Sequence, residues 1–124
     1  MNNQETEKNQ RYFDLGAILN ITTGRLFTNM DDIYEILNFL TQENLYTHQL
    51  TRVADEAESY ILTLYPELKG VGKDVKINNF DEAKAFVDEQ KKIFGDKLPL
   101  SPMRTYTHIC PVKEAFDLIS KKHK

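Results

Sequence analysis

Hydrophobic and polar positions alternate from Phe13 to Thr23. Phe13, Leu15, Ala17, Leu19 and Ile21 point one way and Asp14, Asn20 and Thr22 the other, which predicts a half-buried strand. Asn29 then stands as an N-cap with Asp32 three residues on. Ile33, Ile36, Leu37 and Leu40 recur at helical spacing, predicting a helix over Met30 to Gln42. After the short connection "QENLYT", a second stripe of Leu50, Val53, Ala57, Tyr60, Ile61 and Leu64 predicts a helix stopped by Pro66. Two helices joined so briefly should pack antiparallel. Gly70, Gly72 and Asn78-Asn79 punctuate the next segment, with Val75 and Ile77 as a short strand between them. Asn79 and Glu82 make a capping box for a third helix carrying Phe80, Ala83, Val87 and Phe94, stopped at Gly95. The two prolines of "KLPLSPM" force an extended run, "RTYTHI" reads as a strand, and Pro111 opens a last helix with Val112, Ala115, Phe116 and Ile119 inward. The prediction is an α+β chain with a small antiparallel sheet and about four helices.

Its 124 residues suit one domain with a single core. The polar "MNNQETEKNQR" has no apolar stretch of the kind a signal peptide needs, so residues 1–10 are expected to be a disordered tail and 11–124 a single ligand-binding domain. No apolar run approaches the roughly 20 residues that span a bilayer. The lone Cys110 has no internal disulfide partner and three histidines do not make a structural zinc site, so a reducing cytoplasm fits and neither metal nor cofactor is expected. A net charge of −3 argues against coating of a nucleic-acid polymer. Only four of the 16 basic residues are arginines. Three of these, Arg25, Arg52 and Arg104, lie beside threonines in separate segments, and a guanidinium suits bidentate phosphate recognition.

Three constellations carry candidate chemistry. "TTGR", with Thr23 and Arg25 ahead of a helix, resembles an anion cradle but lacks the spacing of a P-loop; its structural alternative is a Gly24 turn with Arg25 capping or pairing. "YTHQLTR" sets His48, Gln49 and Arg52 at a helix start, where an anion is favoured; its alternative is an Arg52 to Glu56 surface pair. "MRTYTHIC" places Arg104, Tyr106, His108 and Cys110 on one strand face, able to stack a base and neutralise a phosphate, or else simply half-exposed with Cys110 toward the core. His108 and Cys110 alone supply neither an orienting third group nor an oxyanion hole, so no catalytic residue is assigned. Asp31-Asp32 and Asp55-Glu56 oppose helix dipoles. Among the aromatics Phe80, directly after two asparagines, is the one placed for a pocket.

"LGAILNITTGRLFT", then "DDIYEILNFLTQENLYTHQLTRVADEA" and "YP", resembles small phage proteins built on TTGRL, YxxLNFLT and THQLxRA motifs, over Leu15 to Pro66. With the arginine-bearing C-terminal strand the chain looks like the Thoeris anti-defence sponges, which bind a cyclic ADP-ribose isomer and hold it uncleaved. Thr51 stands where that family's pattern has a proline. The resemblance implies a non-enzymatic, homo-oligomeric protein of the infected host's cytoplasm, a homodimer or trimer of dimers. Its ligand would be a cyclic ADP-ribose isomer such as glycocyclic ADP-ribose, with cyclic trinucleotides in a second site. It implies Arg25, Arg52 and Arg104 on the diphosphate, and Phe80, Asn78 and Asn79 on the base, with Thr23, His48, Gln49 and Tyr106 beside them. Two other classes stay open: a cyclic-nucleotide phosphodiesterase using His48 or His108, and an inhibitor of a host protein contacting it through acidic helix faces.

Overall fold

A computed structural model of the chain describes residues 10–103. Strand β1 (Arg11–Asp14) runs directly into helix α1 (Leu15–Thr23), followed by α2 (Met30–Thr41), α3 (Leu50–Leu64), α4 (Phe80–Phe94) and strand β2 (Lys97–Leu100). Short 3-10 turns at Thr47–Gln49 and Pro66–Leu68 flank α3. The layout is α+β, with four helices and one two-stranded antiparallel sheet among the described residues.

The predicted strand over Phe13 to Thr23 is the main correction, because only its first two residues are extended. Asp14 ends the strand and caps the helix, its Oδ2 accepting from the Gly16 N–H at 2.9 Å. Gly24 closes the helix in the left-handed region, φ +72°, where a residue without Cβ is least strained. The alternation misleads because α1 is buried on nearly every side: Leu15, Ile18 and Leu19 are wholly inaccessible, and Gly16, Asn20 and Thr22 are buried too. A helix enclosed all round leaves no polar stripe, so its period of 3.6 is not written in the sequence. It packs on α2, α3 and α4, forming the centre of the molecule.

The other helices follow the sequence closely. Asn29 caps α2 by accepting from the Asp32 N–H, and Asn79 caps α4 by accepting from the Glu82 N–H, each at 2.9 Å. Glu82 Oε1 reaches back to the Asn78 N–H, one residue beyond the reciprocal contact of a standard capping box. The α3 stripe buries Leu50, Val53, Ala57 and Ile61 against α1 and α2. The proposed short strand at Val75 and Ile77 is not formed; that stretch is irregular and is held by side-chain contacts described below.

"KLPL" is extended as expected and pairs with β1, Phe13 opposite Leu98 and Tyr12 opposite Pro99. Pro99 is tolerated because each strand of a two-stranded ribbon has a free edge. Tyr65 and Tyr60 of the α3 end fasten this run by donating to the carbonyls of Pro99 and Ser101, both at 2.7 Å. The expected disordered tail, apart from Gln10, and the strand and last helix beyond Met103 lie outside the described residues.

One buried group works against the fold. Thr22 Oγ1 is enclosed in α1 without a hydrogen-bond partner among the described residues. An unpaired buried hydroxyl costs about 1–3 kcal/mol. Thr22→Val is therefore expected to raise stability by about 1 kcal/mol and the midpoint of thermal unfolding by a few degrees. Differential scanning calorimetry reads the change, and a lowered midpoint would show that the hydroxyl has an essential partner.

Candidate functional site

The loop between α1 and α2 is built around Asn20. This side chain is 3% exposed, and its Oδ1 accepts from the N–H groups of Phe27 (2.6 Å) and Thr28 (3.2 Å), while Nδ2 donates to Thr28 Oγ1 at 2.6 Å. One amide thus folds residues 24–28 back over the end of α1. Thr23 closes the turn locally, its hydroxyl donating to the Leu19 carbonyl at 2.6 Å and accepting from the Arg25 N–H at 3.0 Å. The loop carries Arg25 and Leu26 outward.

Arg25 does not stand free as an anion cradle. Its Nη1 donates to the carbonyls of Gly72 (2.8 Å), Lys73 (3.3 Å) and Val75 (2.7 Å), and its guanidinium lies 5.6 Å from the centre of the Phe27 ring. The structural alternative therefore accounts for one of the three guanidinium nitrogens. Nε and Nη2 make no hydrogen bond among the described residues and keep phosphate-binding capacity.

Those three carbonyls fix the segment that leads to Asn78, Asn79 and Phe80. Phe80 opens α4 with its ring 66% exposed, and it stands between two depressions. The first, about 250 Å³, is walled by Leu26, Ile77, Asn78, Asn79 and Ala83. The second, about 350 Å³, has Phe27 and Val87 among its apolar lining and Asp81, Lys84, Asp88 and Lys91 among its charged lining. Asp81 and Glu82 already oppose the positive end of α4, so this helix start favours a stacked base over a phosphate.

His48, Gln49 and Arg52 form a second neighbourhood at the start of α3. Gln49 is buried, and its Oε1 accepts from the Tyr46 N–H at 3.1 Å, which shapes the 3-10 turn rather than a pocket wall. The His48 ring stacks on the exposed Tyr46, 6.1 Å between centres and 19° from parallel. Arg52 pairs with Glu56 at 2.9 Å, the i,i+4 contact weighed from sequence. Arg104 and Tyr106 lie outside the described residues. The structure thus gathers Thr23, Arg25, Asn78, Asn79 and Phe80 along one connected stretch and sets His48, Gln49 and Arg52 on another element.

Two titrating groups tie the elements beneath the site. Lys91 of α4 donates to Asp14 Oδ1 at 2.6 Å, and this hydrogen bond holds its pKa above the ordinary lysine value against the opposing effect of burial. Tyr65 is also pushed upward, by burial first and by the nearby Glu67 second. Both groups hold their protons more tightly folded than unfolded. Their stabilisation is complete below the unfolded pKa and is lost as pH rises through the folded value. Thermal stability should therefore fall above about pH 10. Lys91→Met, expected to cost under about 1 kcal/mol at pH 7, should flatten that alkaline limb when combined with Tyr65→Phe. An unchanged limb in the double variant would remove these two groups as its cause.

Sequence reasoning missed Asn20 and Gly72. Asn20 is readable as a lone amide inside an apolar run, a residue that must be partnered if buried. Gly72 gives no such signal; its φ is +85°, and a Cβ there would lie 3.1 Å from Phe27 Cζ and 3.3 Å from Phe86 Cε2. No helix among the described residues is long and apolar enough to cross a membrane. Among known proteins, no curated protein and no solved structure matches the chain significantly. Residues 13–71, just under half of the chain, are similar to a domain family of unknown function, DUF7736, a span that contains α1, Arg25, α2, Arg52 and α3.

Proposed function

We propose that this protein binds and sequesters a cyclic nucleotide signal, a cyclic ADP-ribose isomer, without cleaving it, and serves as a phage anti-defence protein in the infected bacterial cytoplasm. The observation that carries the reading is Phe80, a largely exposed ring at a helix start, flanked by Asn78 and Asn79 and connected through one short segment to Arg25. A purine would stack on the ring and present its edge to the two amides, while Nε and Nη2 of Arg25 face a phosphate. Stacking of this kind contributes about 1–3 kcal/mol per base, and each charge-assisted hydrogen bond about 1.5–3 kcal/mol.

Ligand pockets usually run from roughly 300 to 1,000 Å³. The two depressions beside Phe80, about 250 and 350 Å³, each suit a base rather than an entire cyclic ADP-ribose isomer. The reading therefore needs further surface, which Arg52, Arg104 and Tyr106 and a second copy of the chain would supply. Retention without turnover, and cyclic trinucleotides in a second site, come from the motif resemblance alone.

The test is to mix purified protein with glycocyclic ADP-ribose, filter, heat-denature the retained protein and examine both fractions by mass spectrometry. Ligand lost from the filtrate and released intact on heating is the expected result. A linear product would make the protein a phosphodiesterase, and unchanged ligand in the filtrate would overturn the ligand assignment in favour of a host-protein inhibitor. Arg104→Ala should abolish retention with an unchanged circular dichroism spectrum; a variant that still depletes the ligand would remove Arg104 from the site.

A further inference from the structure

Residues 70–79 cross the molecule without forming a helix or strand, from the turn after α3 to the cap of α4. Within 74–77 no backbone N–H is held by another described residue. Asn78 and Asn79 are tied to α4 through the Glu82 contacts described above, and three further devices hold the rest of the stretch down. The first is the Arg25 guanidinium, whose single Nη1 is shared among the carbonyls of 72, 73 and 75. The second is an exposed ion pair from Lys73 to Glu58 of α3, at 3.2 Å. The third is a seat: Gly72 is buried directly on the Phe27 and Phe86 rings, which stack on each other 5.6 Å apart.

We propose that residues 70–77 are a lid latched by Arg25, hinged at Gly70 and at the junction with Asn78, whose opening uncovers the Phe27–Phe86 pair as a cleft for a planar aromatic ligand. Ile77 of this stretch is part of the wall of the smaller depression beside Phe80, and Phe27 lines the larger one. Lifting the stretch removes that part of the wall and extends the aromatic surface from Phe80 to Phe27 and Phe86. The first hinge is Gly70, at φ +81°, where the backbone adopts a conformation that other residues resist. The Arg25 latch is a single side chain on a neighbouring loop, and residues 70–77 can lift while Asn78 and Asn79 stay on the cap of α4. An anion that draws Nη1 in along with Nε and Nη2 would compete with the three carbonyls, which couples the state of the lid to occupancy. The lid itself stands independently of the nucleotide reading.

Trypsin tests it with the protein alone, because the lid carries Lys73 and Lys76. Cleavage of a transiently opened segment follows the population of its open form. In Arg25→Ala, cutting after these two lysines should accelerate at least about tenfold, while cutting after Arg52 in α3 and Lys92 in α4 keeps its rate. The same variant should bind 1-anilinonaphthalene-8-sulfonate, an aromatic anion with a planar naphthalene ring, with a clear rise in fluorescence. Gly72→Ala acts through different atoms, pushing a methyl group against the two rings, and should reproduce both effects if Arg25→Ala fails to fold. Unchanged cleavage after Lys73 and Lys76 in both variants, or acceleration at all sites together, would overturn the proposal. Faster lid cleavage without dye binding would likewise overturn the aromatic cleft.

Discussion

Asn20→Leu is expected to lower the unfolding free energy by about 3–4 kcal/mol, a fall of roughly 10–15 °C in thermal midpoint. The side-chain volume is nearly preserved, so the loss is one of hydrogen bonding and not of packing. Leucine abandons the N–H groups of Phe27 and Thr28 and the Thr28 hydroxyl together, and the Phe27 N–H is buried with no other acceptor among the described residues. Asn20→Asp provides the sharper comparison. It keeps both acceptor contacts but replaces the Nδ2 donor with a buried carboxylate oxygen 2.6 Å from Thr28 Oγ1, whose hydroxyl can reverse its hydrogen bond. The aspartate variant should therefore rank between wild type and leucine in calorimetry. A leucine variant within 2 °C of wild type, on the order of the calorimetric scatter, would show that the loop does not depend on this amide.

The second large effect is on binding. Phe80→Ala should weaken capture of the cyclic ADP-ribose isomer by about 10- to 100-fold while leaving the thermal midpoint within about 2 °C, since stacking contributes 1–3 kcal/mol and an exposed ring contributes little to folding. Isothermal titration calorimetry beside a melting curve separates the two. Phe80→Tyr, which keeps the π face, should restore most of the affinity. Equal affinity in the alanine variant would detach Phe80 from the ligand and leave it as an ordinary exposed side chain.

The helices α2, α3 and α4 were legible because each is half exposed, and exposure writes its period into the sequence. Their caps were legible for a related reason: Asn29 and Asn79 act on N–H groups three residues away, within reach of local reasoning. Helix α1 was not, since Ile18, Ile21, Thr22 and Thr23 favour extended chain locally and only enclosure by three other helices decides against it. The candidate site divides the same way. Arg25 and Phe80 could be singled out by residue type, but the contact of Arg25 with carbonyls 47 to 50 residues later is a property of the fold. For Arg52 the neighbour at i,i+4 was readable and is the one the structure supplies.

The strand pair has an implication for how this chain can be divided. Residues 13–71 have counterparts elsewhere as a family segment, yet the partner of β1 comes from 97–100 and the lysine that holds Asp14 comes from 91. The matched span is smaller than the set of residues that complete the strand pair. A fragment cut at residues 13 and 71 would keep α1 but lose Arg11 and Tyr12 of β1 and all of β2, leaving Phe13 uncovered. The shortest piece of this chain that keeps the strand pair whole therefore runs from residue 11 to residue 100, well past the matched span on the C-terminal side.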